Sequence, residues 1–238
     1  MTQTLLKVSN LHASYGRAKV LFGVDLSVAV GEVVTLLGRN GMGRSTTIKC
    51  LFGLLQPTSG LIEFRNQRVD NLQSFQVARK GLGLVPEGRQ VFPNLTVEEN
   101  LIATARDNKG NGLKPWTLDR VYQFFPRLRE RQTNLGSQLS GGEQQMLAIG
   151  RALMTNPSLM VLDEATEGLA PLIRTEIWNA LGELKAEGLS LIVIDKNLGP
   201  LLELADRHFV MEKGKVVWSG NSSELKANSQ IVHEYLGV

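Results

Sequence analysis

The chain has 238 residues, of which 42% are apolar and 21% charged, which excludes a disordered segment and allows one sizeable core. Lys and Arg number 26 against 23 Asp and Glu, so the net charge of +3 is too small to demand nucleic acid or an acidic surface as a partner. The single cysteine, Cys50, excludes an internal disulfide framework, and the longest apolar runs, such as Leu191 to Ile194, fall far short of the ~18–20 residues that cross a bilayer. Met1 to Lys7 lacks the basic-then-apolar layout of a signal peptide, so a cytosolic chain is expected, with any membrane role exerted through a spanning partner.

In chain order, Leu5 to Leu11 and Val20 to Val28 carry apolar residues near period two and predict strands. Val33 to Leu37 is a short continuous apolar run, the pattern of a buried parallel strand, although periodicity alone also allows a helix. A Gly-rich stretch follows, then helical spacing over Ser45 to Leu54 and strands at Gly60 to Arg65 and Leu82 to Val85. Residues 88–155 change character. Val97 to Arg106, Leu118 to Phe125 and Gly142 to Met154 read as helices, with Thr96 and Glu99 spaced as a capping box and a break at Asp107 to Gly112. The last third returns to alternation: a strand at Leu159 to Leu162, a helix at Pro171 to Glu187, a strand at Ser190 to Ile194, a helix at Leu198 to Ala205. A hairpin of Phe209 to Met211 and Val216 to Trp218 turns at Lys213-Gly214. Strands alternating with helices predict an α/β domain with a mostly parallel sheet. The expected organisation is a core of residues 1–87 and 156–238 with an inserted helical part at 88–155.

Three motifs carry chemistry. Gly38-Arg39-Asn40-Gly41-Met42-Gly43-Arg44-Ser45-Thr46 lies between a predicted strand and a predicted helix, where a P-loop reads G-x-x-x-x-G-K-[ST]. Glycines let backbone N–H groups turn inward, and the helix N-terminus adds positive potential for phosphates. The Ser45 hydroxyl suits Mg²⁺. A plain Gly-rich turn is the competing reading, and a dinucleotide loop is excluded because G-x-G-x-x-G cannot be laid on these glycines. Second, Ser140-Gly141-Gly142-Glu143-Gln144 opens a predicted helix. A capped helix start explains Ser140 but not the whole string, whose free N–H groups suit a phosphate. Third, the apolar strand Leu159 to Leu162 ends in Asp163-Glu164. That is a Walker B layout, in which Asp163 holds Mg²⁺ and Glu164 polarises the attacking water.

In this order the motifs resemble those of the ATP-binding subunits of ABC transporters, over essentially the whole chain. The resemblance implies a P-loop ATPase fold of ABC type with an N-terminal antiparallel β subdomain and a helical signature subdomain. It implies ATP and Mg²⁺ as ligands. Tyr15 falls where the family stacks an aromatic ring on adenine, with core packing as its alternative. Glu87 joins Ser45 and Asp163 as a metal-site candidate. Lys196 falls at the switch position that touches the γ-phosphate and counts, with Glu164, as a catalytic candidate. Ser140, Gly141 and Gly142 would close over ATP held by Gly38 to Thr46 of a second ABC ATPase subunit, identical or related. Leu84 to Arg89, Val91 to Leu101 and Glu167 to Pro171 are similar to the LivF-like ATPase of branched-chain amino acid importers. Related importers of urea, short amides and other amino acids share these stretches. The resemblance therefore implies transmembrane permease subunits docked near Glu87 to Phe92, a solute-binding protein acting indirectly, and a cytoplasmic position on the inner face of the membrane.

Two positions depart from the family pattern. Arg44 stands at the P-loop lysine, and Lys196 at the usual switch histidine. Arg is larger, planar and fork-shaped, so slower hydrolysis is expected. Lys196 can hold a phosphate but does not change its proton state near neutrality. Both leave room for a regulatory subunit with little turnover. A nucleic-acid-associated ABC ATPase is disfavoured, because one module with no heptad stretch and mild charge lacks the usual features. His12, His208 and His233 show no ligand spacing, and Cys50 reads as a packed small residue.

Overall fold

A computed structural model describes residues 3–107 and 112–236, so residues 108–111 of the Asp107 to Gly112 break lie outside the described residues. The chain opens with β1 (Thr4–Tyr15) and β2 (Ala18–Ala29), an antiparallel pair whose apolar residues alternate inward. Next come β3 (Val33–Leu37), α1 (Arg44–Leu51), β4 (Ser59–Phe64), β5 (Gln67–Arg68), α2 (Ser74–Arg79) and β6 (Leu82–Val85). The helical part holds α3 (Val97–Ala103), α4 (Leu118–Phe124), α5 (Pro126–Glu130) and α6 (Gly141–Leu153). The remainder is β7 (Leu159–Asp163), α7 (Pro171–Ala186), β8 (Ser190–Ile194), α8 (Leu198–Leu204), β9 (Arg207–Glu212), β10 (Lys215–Gly220) and α9 (Ser222–Ala227).

Two sheets result. The smaller has the order β2-β1-β4-β5 and is antiparallel. The larger has the order β10-β9-β3-β8-β7-β6, parallel except for the β9–β10 hairpin. Every residue of β3, β7 and β8 is buried, because helices or the second sheet cover both faces. Alternate residues divide between two cores. Val33, Leu37, Met160, Leu162, Leu191 and Val193 face the helical side. Val34, Leu36, Leu159, Val161, Ile192 and Ile194 face α1 and the small sheet. Each such side chain contributes roughly 1.5–3 kcal/mol on burial.

Short apolar runs without alternation did conceal some details. α3 stops at Ala103, not Arg106, and α1 stops at Leu51, not Leu54, since both end before their last apolar residue. α2, β5, α5 and α9 carry too few periodic residues to announce themselves. The capping box at Thr96 is present: its hydroxyl accepts from Glu99 N, and Glu99 accepts from Thr96 N. Buried Asn156, at φ 50°, accepts from Trp116 N at 2.6 Å and donates to Arg106 O at 2.8 Å. It thereby ties together the two ends of the longest loop in the helical part.

One buried pair crosses the sheet from β3 to β9. Thr35 Oγ1 lies 2.7 Å from His208 Nδ1, and His208 Nε2 lies 2.9 Å from Ser222 Oγ. Burial pushes the His208 imidazole down to about 4. A histidine depressed in the folded state favours folding above its unfolded value near 6.5, and that contribution is lost as pH falls from there to about 4. Stability should therefore drop by up to about 3 kcal/mol between pH 7 and pH 4 through this group alone. Urea unfolding at the two pH values should show a smaller drop for His208→Gln. An unchanged pH slope in that variant would exclude His208 as the source.

Candidate functional site

The parallel strands β3, β6, β7 and β8 all deliver their carboxyl ends to one edge of the large sheet. There the loop of residues 38–43 leaves β3 and enters α1. Two of its glycines admit no side chain. At Gly38, φ 144°, a Cβ would lie 2.5 Å from Met211 O, and at Gly43, φ 104°, one would lie 2.8 Å from Leu21 Cδ2. The β9–β10 turn grips the loop from outside, with Gly214 N donating to Met42 O at 3.0 Å. Gly43 to Thr46 share a cleft of about 480 Å³ with Glu87, Glu164, Glu167 and Lys196.

Charge is dense in that cleft. Arg44 is almost wholly buried, and its Nη2 donates to Asn40 Oδ1 at 3.0 Å and lies 3.5 Å from Glu164 Oε1. Lys196 Nζ lies 3.3 Å from Glu164 Oε2 and contacts Glu167 Oε1 directly. Glu164 sits between two cations, in the left-handed region at φ 53°, with its N–H donated to Ile194 O at 2.8 Å. Burial first, and Glu167 second, raise the Glu164 carboxyl above the usual range, against Lys196. Glu167 is held low by its neighbour Glu164 and by Lys196, and Lys196 is raised, first by Glu167. Asp163, buried at the end of β7, is raised by burial and then by the Glu87 charge, with Arg44 and Lys49 opposing.

These donors suit a hard cation. Glu87, Glu164 and Glu167 each offer an oxygen within 4.8 Å of the others, Ser45 lines the same cleft, and Asp163 senses Glu87. Carboxylate and hydroxyl oxygens are what Mg²⁺ takes. A second cleft of about 500 Å³ lies beside the first, between Gly38, Arg39 and Asn40 on one side and Asp195, Lys196 and Leu198 on the other. Tyr15 is 45% exposed at the edge of the small sheet, with Lys49 Nζ 5.5 Å from its ring, so the core-packing alternative does not hold.

The sequence-derived candidates fall in two places. Arg39, Asn40, Gly41, Gly43, Arg44, Ser45, Thr46, Glu87, Glu164 and Lys196 line the two clefts, and Met42 braces the loop from behind. Tyr15, Asp163, Ser140, Gly141 and Gly142 line neither. Ser140 caps α6, accepting from Glu143 N at 3.3 Å, while a Cβ on Gly141 would meet Arg89 and one on Gly142 would meet Ile173. Glu167 and Asp195, outside the set of sequence candidates, also line these clefts. Asp195 is buried, and it accepts from Thr166 N, Thr166 Oγ1, Asn197 N and Asn197 Nδ2 at 2.6–3.1 Å. It ties the segment after Glu164 to the segment carrying Lys196. The available signal is an acid directly after the apolar run Leu191 to Ile194. Near Glu87, Asn100 donates to Phe92 O and Thr96 O and accepts from Phe92 N, shaping an exposed turn. Arg151 supports the same turn, donating to Gln90 O at 2.9 Å with its guanidinium 4.6 Å over the Phe92 ring.

Comparison with known proteins agrees with this geometry. A family model described as ABC transporter matches residues 21–167. A high-affinity branched-chain amino acid transport ATP-binding protein, BraG of Pseudomonas aeruginosa, is 40% identical over 98% of this chain and 100% of its own length. The lipopolysaccharide export system ATP-binding protein LptB of Haemophilus influenzae is 32% identical over 98% of each chain. The crystal structure of a nucleotide-free ATP-binding cassette from an ABC transporter has a TM-score of 0.83 at 29% identity. It covers 95% of this chain and 94% of that one.

Replacing Asp195 by Ala leaves four donors without their acceptor. Such a buried loss should lower stability by about 2–4 kcal/mol in urea titration, and Thr166→Val by about 1 kcal/mol. A loss below about 0.5 kcal/mol for Asp195→Ala would show that this carboxylate does not hold the two segments together.

Proposed function

Because the chain belongs to the ABC transporter family, as an ATP-binding subunit with ATPase activity coupled to transport, we propose that it energises an importer of branched-chain amino acids, related amino acids or small amides. The observation that carries the reading is the convergence of the P-loop, Glu87, Glu164 and Lys196 on one cleft. The substrate class is supported by the stretches Leu84 to Arg89, Val91 to Leu101 and Glu167 to Pro171, and by the 40% identity with BraG against 32% with the lipopolysaccharide exporter subunit. Residues 1–87 and 156–238 form the nucleotide-binding core, and residues 88–155 the part that carries the signature.

In this reading the backbone N–H groups of Gly38 to Thr46 cradle the phosphates of ATP, and the α1 N-terminus adds positive potential. Tyr15 stacks on adenine from its exposed edge position. Ser45, Glu87 and Asp163 would hold Mg²⁺, which neutralises phosphate charge when bound. Glu164 takes the proton of the attacking water; its raised carboxyl is a better base near neutral pH than an ordinary one. Lys196 holds the γ-phosphate in a fixed charge state, since Glu167 raises its pKa. Ser140, Gly141 and Gly142 close over the nucleotide of a second ABC ATPase subunit, which explains why they stand clear of this chain's own clefts. ATP favours the closed pair and hydrolysis removes that preference, so closing and opening drive the permease subunits between states. Those subunits dock at Glu87 to Phe92 and receive cargo from a solute-binding protein. No helix among the described residues is long and apolar enough to cross a membrane. The chain sits peripherally on the inner face.

Arg44 slows turnover, because a planar fork replaces a compact ammonium in a tight loop. The same residue, with Lys196, favours a second reading as a nucleotide-binding regulatory subunit. Reconstitution with the permease subunits in liposomes, followed by ATPase and leucine-uptake measurements, separates the two. Arg44→Lys should raise kcat several-fold, and Glu164→Gln should lower it by about 100-fold or more while trapping an ATP-bound dimer. A fast wild type with no gain in Arg44→Lys would remove the impairment. Absence of single-turnover hydrolysis in the assembled complex would favour the regulatory subunit.

A further inference from the structure

The departure at Arg44 has a partner in the structure that its place in a phosphate loop does not require. One nitrogen, Nη2, faces both Asn40 Oδ1 at 3.0 Å and Glu164 Oε1 at 3.5 Å. Both side chains of the ion pair are close to fully buried, at 8% and 12% exposure, so solvent screens the contact far less than at the surface. Asn40 and Glu164 thus share a single guanidinium nitrogen. The second oxygen of Glu164 is taken by Lys196. Glu87 and Glu167 stand within 4.8 Å of Glu164. Withdrawing the Arg44 charge therefore leaves three carboxylates facing one lysine.

We propose that Arg44 is a positioning residue for Glu164: it holds the carboxylate until a γ-phosphate takes the guanidinium in its place. The basic residue of a P-loop reaches the β- and γ-phosphates. A nucleoside triphosphate brings enough negative charge to Arg44 to outweigh the loss of Glu164. A diphosphate brings less negative charge to Arg44 and so competes with Glu164 less strongly. Release of the base is thereby tied to the arrival of the substrate, and Lys196 keeps Glu164 oriented once Arg44 has left. The proposal rests on the nucleotide site argued above and adds a gate to it.

The test is a binding cycle on the purified full chain, by calorimetry in Mg²⁺ with adenylyl imidodiphosphate and, separately, ADP. Glu164→Gln removes the charge that holds Arg44. In the wild-type background it should raise affinity for the triphosphate analogue about three- to tenfold. In Arg44→Met, which removes the charge, the same change should alter affinity by less than about twofold. The gain for ADP should be smaller than the gain for the triphosphate analogue in the wild-type background. Equal gains in both backgrounds would show simple repulsion between carboxylate and phosphate, and would overturn the gate. Gains for ADP as large as for the analogue would do the same. A wild type that binds neither nucleotide takes down the nucleotide site itself, an outcome distinct from an additive cycle with normal binding.

Discussion

The parallel register of β3, β6, β7 and β8 is the constraint from which the site follows. Parallel strands send their carboxyl ends the same way, so the loops that leave them meet at one edge. β3 brings the phosphate loop, β6 leads to Glu87, β7 ends at Asp163 with Glu164 directly after it, and β8 ends just before Asp195 and Lys196. These groups are up to about 150 residues apart in sequence, yet share a cleft of about 480 Å³. The register itself is held by side chains that alternate between the two cores, so a one-residue slip would exchange the faces of every strand.

Within the cleft, electrostatics oppose burial. Four acids, Glu87, Asp163, Glu164 and Glu167, crowd an edge where water is partly excluded, and burial raises Asp163 and Glu164. Arg44 and Lys196 compensate from opposite sides of Glu164. The arrangement is poised, because cations that neutralise carboxylates are also the cations a phosphate attracts. The replacement of a P-loop lysine by Arg44 thus alters more than size. It brings the loop into contact with Glu164, directly after β7.

The helical part meets this edge along a separate route. α6 begins at the Ser140 cap and ends near Arg151, which supports the turn of Gln90 and Phe92. That turn continues from β6, two residues before Glu87. A contact at exposed Phe92 therefore lies one short segment from the cleft and one helix length from Ser140. The fold supplies a physical connection from the exposed Phe92 turn to both the cleft and the Ser140 end of α6.

Much of this was legible in the residues. The unbroken apolar runs of β3, β7 and β8, the glycines at 38, 41 and 43, the Ser140 and Thr96 caps and the acids closing β7 are local features, and local features are written in sequence. Gly38 and Gly43 are required because backbone from β9 and a side chain from β2 press against them, but their identity alone announced the turn. What only the tertiary structure decided are the pairings between distant residues. Asp195 with Thr166, Asn156 with Arg106 and Trp116, and Arg44 with Glu164 join positions whose side chains carry no mark of each other. The separation of Ser140 to Gly142 from the P-loop belongs to the same class. Periodicity and spacing report which face a residue turns to its own element. Which charge it meets depends on how whole elements pack, and that is set by the sum of many apolar contacts across the sheet.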